Sequence, residues 1–232
     1  MIEPPMQRLD ERGRRADNHC IGGAAVLPSG SRQIGRSGMQ DDRPRVAMAE
    51  DVAMVGAIAT LAFVVDPFAR WVWPDAAAYR DVMPEASAAF AGGDLTSGSA
   101  FVVRHGSALF LPPGVRPDGE RLTALCMEHT PSERLEDLAA IYDRLATLHP
   151  DEPHWYLSQL AVDPIAQGRG IGDSLLRHVL ARCDEAGQPA FLETANPRNH
   201  SLYRRHGFEP VGTIRMGSAP PMIAMLRAAR QG

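Results

Sequence analysis

The stretch QLAVDPIAQGRGIGDSLLRHVL, residues 159–180, joins an apolar strand pattern to an amphipathic helix pattern through a glycine-rich turn. Gly168, Gly170 and Gly172 occupy alternate positions where the helix begins. Glycine allows a tight turn and the close approach of an anion, and a helix N-terminus offers unpaired N–H groups with a partial positive charge. The pattern therefore predicts a phosphate-binding turn, where Arg169 would add a charged contact.

Two common phosphate-binding patterns do not fit this turn. The dinucleotide fingerprint GxGxxG requires a third glycine at residue 173 or 175, and these positions hold Asp173 and Leu175. The P-loop pattern ends in GK[ST], and the chain contains no lysine. The pattern that fits is Q/R-x-x-G-x-G/A, formed by Gln167, Gly170 and Gly172. A nucleotide-binding domain of Rossmann type is thereby disfavoured but stays an alternative.

A second pattern lies in FLETANPRNHSLYRRHGFEPVG, residues 191–212, where Asn196 is followed seven positions later by Tyr203 and then by a Gly-Phe pair. The two patterns together resemble the GCN5-related N-acetyltransferase (GNAT) superfamily. Within it, HWYLSQLAVDP (154–164) and PPMIAMLR (220–227) are similar to the puromycin N-acetyltransferase-like branch. The resemblance covers roughly residues 44–228.

The hydrophobic patterns predict an α/β (α+β) domain over residues 44–230. The predicted elements, in chain order, are a strand, two helices, a hairpin, one inserted helix, a strand, a helix, a strand, a short helix and two strands. The strand–helix–strand unit at 154–195 requires a parallel pair, and its neighbours make the sheet mixed. The resemblance implies the GNAT fold: about seven strands flanked by helices, with a splay between the two central parallel strands.

Residues 1–43 show no sustained period and are rich in Arg, Asp, Gly, Ser and Pro, which predicts a disordered N-terminal tail. Met39 opens a stretch typical of the start of a domain, so we hypothesise that the native chain begins there. The net charge of -4 gives no basic surface for nucleic acid. No apolar run approaches the roughly 18 residues of a membrane span, and the three cysteines are widely spaced. We expect a cytoplasmic protein without nucleic-acid or membrane partners.

The resemblance implies transfer of an acetyl group from acetyl-CoA, the co-substrate, to an amine without a metal. Backbone N–H groups of the strand and the glycine turn would bind acetyl-CoA and stabilise the oxyanion of a tetrahedral intermediate. Asn199 also suits a helix N-cap, which is the alternative for that residue. The expected cofactor-binding residues are Leu160, Ala161, Val162, Gln167, Gly168, Arg169, Gly170, Ile171, Gly172, Asn196 and Asn199.

Tyr203 matches the general acid of the family, which protonates the departing thiolate; the alternative is a packed aromatic on a short helix. The strand at 154–162 carries no carboxylate to act as the general base. Glu193 on the next strand is the candidate, since burial would raise the pKa of its carboxyl group, and His154 is second. A structural carboxylate is the alternative for Glu193.

The link between the first two helices is the expected acceptor site, with Asp66, Trp71 and Trp73 as substrate-binding residues beside Phe68 and Tyr79. An acid among aromatic rings suits a cationic, partly apolar small-molecule amine, whereas packing on the sheet is the alternative. The second functional hypothesis is a non-catalytic acyl-CoA-sensing module of the same fold, which regulates a partner. Exposed final strands at 208–227 would allow a homodimer.

Overall fold

The computed structural model describes residues 43–230, so the predictions for the tail and for Met39 lie outside the described residues, apart from Arg43. The described part contains a seven-stranded mixed sheet in the order β1-β2-β3-β4-β5-β7-β6. The strands are β1 (Arg45–Val46), β2 (Ala100–Val103), β3 (Gly106–Leu111), β4 (Trp155–Val162), β5 (Ala190–Thr194), β6 (Glu209–Ile214) and β7 (Met222–Arg227). Strands β4 and β5 are parallel and the other neighbouring pairs of the described sheet are antiparallel. The expected mixed α/β fold is confirmed, and the Rossmann alternative is wrong because a doubly wound sheet is parallel.

Helices cover both faces of this sheet. One face carries α6 and α7, which pack around Phe110, Leu157 and Phe208. The first five helices pack on the other face in two apolar clusters. The helices are α1 (Val52–Ala62), α2 (Pro67–Val72), α3 (Ala76–Phe90), α4 (Gly119–His129), α5 (Leu135–Ala146), α6 (Ile171–Ala186) and α7 (His200–Arg205). Within residues 43–230, no helix combines the length and apolar character needed to cross a membrane.

The two central strands part after a short paired segment. Residues 155–157 of β4 pair with residues 190–192 of β5, and the remainder of β4 pairs with β3 alone. A bulge places Ser158 outside the β3 register, and its hydroxyl donates to the carbonyl of Phe90 at 2.9 Å. The expected splay is confirmed, and it leaves the β5-facing backbone edge of β4 without a strand partner beyond Leu157.

Three local predictions differ from the structure. The expected link after α1 contains helix α2, which Asp66 caps by accepting from the N–H groups of Phe68 and Ala69, with Pro67 at the first helical position. The region between β3 and β4 contains two helices, α4 and α5, where one was expected. The final strands are not both exposed, because β7 lies between β5 and β6.

Candidate active site

The glycine turn opens toward solvent at the start of α6. Gly168 and Gly170 have φ angles of +75° and +82°, in the left-handed region that favours glycine, and Gly170 is the N-cap residue. Apart from the glycine itself and its chain neighbours, no atom lies within 4 Å of the Cβ position of either residue. The first helical hydrogen bond runs from Ser174 N to Gly170 O at 2.9 Å, so the N–H groups of the preceding turn are available to a ligand. This geometry suits the phosphate group of a ligand.

Side chains beside the turn have different environments. The amide of Gln167 donates to the carbonyl of Val162 at 3.1 Å and thereby ties the turn to the end of β4. Gln167 is thus a residue that shapes the turn. Arg169 is exposed and forms no ion pair within residues 43–230, so its charge is available to an anion. Ile171 and Gly172 occupy the first turn of α6, and Gly172 faces Leu202, Val162 and Leu160 across ordinary contact distances.

A cavity of about 130 Å³ crosses the sheet at the splay. Its walls come from the segment after α1, from α2, α3 and α5, from both splayed strands and from α7, so elements of both faces of the sheet meet there. Among the sequence-predicted residues, the lining includes Asp66, Trp73, Leu160, Glu193, Asn199 and Tyr203. These residues come from four separate segments of the chain. The cavity is the region in which the expected catalytic and acceptor residues meet.

Glu193 contributes a buried carboxyl group to this cavity. Tyr156 donates its hydroxyl to Oε1 of Glu193, while Oε2 is buried and has no partner among the described residues. Burial raises the pKa of Glu193 to about 7, although the hydrogen bond from Tyr156 opposes the increase. A carboxyl group with this pKa exchanges a proton near neutral pH, which is the property required of a general base.

Tyr203 lies across the same cavity, on α7, and only 6% of its surface is exposed. Burial raises the pKa of Tyr203 above its ordinary value of 10, and the charges of Asp66 and Glu193 add to the increase. The phenol therefore stays protonated at neutral pH. Its hydroxyl makes no hydrogen bond to the rest of residues 43–230, so it can donate to a ligand. Its ring packs against Phe208 with centroids 6.1 Å apart, which holds its position.

The two asparagines of the second motif have separate environments. Asn196 accepts from the N–H group of Arg198 at 3.1 Å and caps the turn that precedes α7. Asn199 stands at the N-cap position of α7 but forms no capping hydrogen bond, and it lines the cavity. The capping alternative considered for Asn199 therefore applies to Asn196. The amide of Asn199 is available to a ligand.

The predicted acceptor residues separate into two groups. Asp66 and Trp73 line the cavity, and the indole N–H of Trp73 is buried without a partner in the described part of the chain. Trp71 does not line it; its indole N–H donates to Ser218 at 3.0 Å, and the guanidinium of Arg134 lies over its ring. Trp71 thus stabilises the packing of α2. Tyr79 is buried, and its hydroxyl donates to the carbonyl of Thr60 at 2.7 Å.

Other polar residues of the site were not predicted from the sequence. Gln159 lines the cavity beside the bulge, and its carbonyl oxygen is buried without a partner among residues 43–230. Tyr156 aligns with Phe191, two positions before Glu193, so the alternation of strand side chains was the signal that could have paired it with Glu193. His154 bonds His149 at 3.1 Å, away from this cavity.

Comparisons with known proteins agree with this fold. Residues 131–208 match the model of the acetyltransferase (GNAT) family. A crystal structure described as histone acetyltransferase HPA2 and related acetyltransferase, from Corynebacterium glutamicum, is 26% identical with a TM-score of 0.58, and the alignment covers 82% of this chain and 97% of that chain. Arylalkylamine N-acetyltransferase 2 from Aedes aegypti shares the fold at 13% identity and a TM-score of 0.56, over 81% and 99% of the two chains. Residues 131–208 thus resemble the GNAT family, and the described fold resembles that of a solved acetyltransferase.

A curated relative adds a shorter match. An uncharacterized N-acetyltransferase from Schizosaccharomyces pombe is 29% identical over 80 residues, which are 33% of this chain and 32% of the relative. The chain thus matches about a third of the length of that relative. The similarity to the puromycin N-acetyltransferase-like branch stays a prediction from the sequence.

Proposed function

We propose that this protein transfers the acetyl group of acetyl-CoA directly to a primary amine of a small molecule. The main support for this proposal is that Glu193 and Tyr203 line the same cavity at the splay. One group is ready to accept a proton near neutral pH and the other to donate one. The glycine turn at the start of α6 offers a phosphate site beside the end of β4.

The two groups have complementary roles in the reaction. The carboxylate of Glu193 removes the proton from the acceptor ammonium, and the free amine attacks the thioester carbonyl to form a tetrahedral intermediate. The C–N bond forms in this attack, and the nitrogen then releases its second proton to solvent. The C–S bond breaks as the intermediate collapses. Tyr203 donates its proton to the departing thiolate, and the phenolate regains a proton from solvent or from Glu193. The products are the acetylated amine, CoA thiol and one proton.

The free edge of β4 would bind the rest of acetyl-CoA. Backbone groups of Leu160, Ala161 and Val162 lie where β4 has lost its β5 partner. An extended pantetheine arm can use such groups as an added strand would. One of their N–H groups would also stabilise the oxyanion. Asn199 supplies a polar contact near the thioester end of the cavity, and Asp66 with Trp73 contacts the acceptor.

The test measures amine-dependent release of CoA thiol by the full chain, with mass spectrometry of the acetylated amine. Tyr203→Phe should lower turnover about tenfold or more, with little change in acetyl-CoA affinity, because only the proton donor is lost. The control is Tyr79→Phe, which removes a hydroxyl that bonds Thr60 away from the cavity. Equal turnover of the Tyr203→Phe variant and the parent would remove Tyr203 from the mechanism.

A non-catalytic acyl-CoA sensor of the same fold makes a different prediction. It would bind acetyl-CoA but would acetylate no amine. The partly ionised carboxyl group of Glu193 in the cavity supports the enzyme, because a sensor has no need of a proton acceptor there. Acetyl-CoA binding without any amine-dependent thiol release would support the sensor.

A further inference from the structure

A second cavity, of about 880 Å³, lies between the inserted helices α4 and α5 and the first half of β4. It shares four lining residues with the cavity at the splay, namely Phe90, Tyr142, Leu145 and Glu193. The two cavities are therefore adjacent, and the carboxyl-bearing residue Glu193 lines both of them.

The volumes distinguish what each cavity can hold. The cavity at the splay, at about 130 Å³, is the smaller of the two. That room suits the reacting acetyl and amino groups. Pockets that bind small molecules usually measure about 300–1,000 Å³, and the second cavity falls in this range. The second cavity therefore offers more room for the body of a large acceptor than the first.

The lining of the second cavity suits an amine with an apolar body. Its walls include Val115, Leu122, Met127 and Leu138. Its charged residues are one cation, Arg116, and four acidic residues, namely Asp143, Asp151, Glu152 and Glu193. Burial lowers the pKa of His149 to about 4, and the charges of His154 and Arg116 add to this effect, so His149 is neutral at pH 7. The net negative charge favours a cation over an anion.

We propose that the second cavity holds the body of the acceptor, a primary amine with an extended apolar chain whose ammonium group reaches Glu193. This inference rests on the proposed acetyltransferase function. It assigns a role to the insertion between β3 and β4. It also predicts that the enzyme selects amines by the length of their apolar part, since each buried methylene adds to binding.

The experiment uses linear primary amines from ethylamine to octylamine as probes, with acetyl-CoA and the full chain. We expect kcat/KM to rise about fourfold per methylene over part of this series. Ala139→Trp places a large side chain at an exposed position of α5 that lines the second cavity. It should reduce kcat/KM for octylamine about tenfold and leave ethylamine nearly unchanged. Ala124→Trp, on α4, makes the same change at an exposed position outside the lining and should behave like the parent.

The outcomes separate this inference from the proposed function. Turnover of amines without dependence on chain length, or an equal length dependence in Ala139→Trp and the parent, would overturn the inference alone. Turnover of none of these amines, with acetyl-CoA bound, would overturn the assigned acceptor class. Failure to bind acetyl-CoA would overturn the proposed function itself. Thermal unfolding of both variants shows that each is folded before its kinetics are compared.

Discussion

Replacing Glu193 by glutamine removes the proposed base and keeps the shape of the side chain. The amide can still accept the hydrogen bond of Tyr156, so the packing at the splay is retained. It cannot take a proton from the acceptor. We expect kcat to fall about 10²- to 10⁴-fold, the usual contribution of a positioned general base. Glu185→Gln makes the same chemical change at an exposed position of α6 and should leave kcat unchanged.

The pH dependence of kcat follows from the raised pKa of Glu193. With a pKa of about 7, the carboxyl group is about one tenth ionised at pH 6 and about nine tenths ionised at pH 8. The ionised form is the active base, so kcat at saturating amine should rise with pH, nearly tenfold per pH unit below 6, and level off above 8. The residual activity of Glu193→Gln should not show this increase of kcat with pH.

The same carboxyl group makes the stability depend on pH. Its pKa rises from 4.5 to about 7, so the folded state favours the protonated form. The stabilisation is complete below pH 4.5 and is lost as pH rises through 7. It amounts to about 3 kcal/mol at most. Relative to Glu193→Gln, the free energy of unfolding of the parent should decrease over this range, as measured by urea denaturation at pH 4.5 and pH 8.

The kinetic and equilibrium measurements together can refute the role of Glu193. A parent kcat that stays constant between pH 6 and pH 8 would contradict the raised pKa. So would an equal pH dependence of unfolding in the parent and in Glu193→Gln. A normal pH profile combined with full activity of Glu193→Gln would show that another group is the base.

Substitutions at two further positions, Gly106 and Asp66, test the structure around the site. Gly106→Ala should lower the free energy of unfolding by about 1–3 kcal/mol, because its Cβ would lie 2.7 Å from Cγ2 of Ile171 and 3.0 Å from Leu175. The control is Gly172→Ala, which should be tolerated because its Cβ would lie 3.6 Å from its nearest neighbour. Urea denaturation measures the free energy of unfolding of both variants. Asp66→Ala should lower stability by about 1 kcal/mol through loss of the α2 cap, whereas Asp66→Asn should keep the cap. An increase in the KM for the amine in Asp66→Asn, at unchanged stability, would assign the carboxylate to acceptor binding.

The parts of the fold with strong periodic patterns could be predicted from the sequence. Strand β4 lies within one residue of its expected bounds, 154–162, and helix α6 follows the glycine turn as expected, because apolar residues repeat with the period of each element. Helix α2 was missed because two prolines flank it. The Asp66-Pro67 pair is nevertheless a typical helix start, with a capping side chain before a proline at the first position. Helix α4 was not expected, because the Pro-Asp-Gly sequence at its start is typical of a loop.

The site was less predictable than the fold, because it depends on contacts between distant segments. Motif spacing predicts Tyr203 and the glycine turn as parts of the site, and Glu193 is predicted as a carboxylate on the neighbouring strand. The structure places Tyr203 and Glu193 in one cavity. The bulge at Ser158 has no sequence signature, so the position of Gln159 beside the cavity could not be anticipated. The second cavity depends on how α4 and α5 pack, which no local pattern determines.

The central claim is that the glycine turn binds acetyl-CoA, and calorimetric titration of acetyl-CoA into the full chain tests it most directly. We predict one site per chain and affinity about tenfold or more weaker in Gly170→Asp, where a negative charge faces the phosphates. The control is Gly187→Asp, which changes another left-handed glycine with open surroundings at the far end of α6 and should bind like the parent. Absence of binding by folded protein, or equal binding by the parent and Gly170→Asp, would contradict the account.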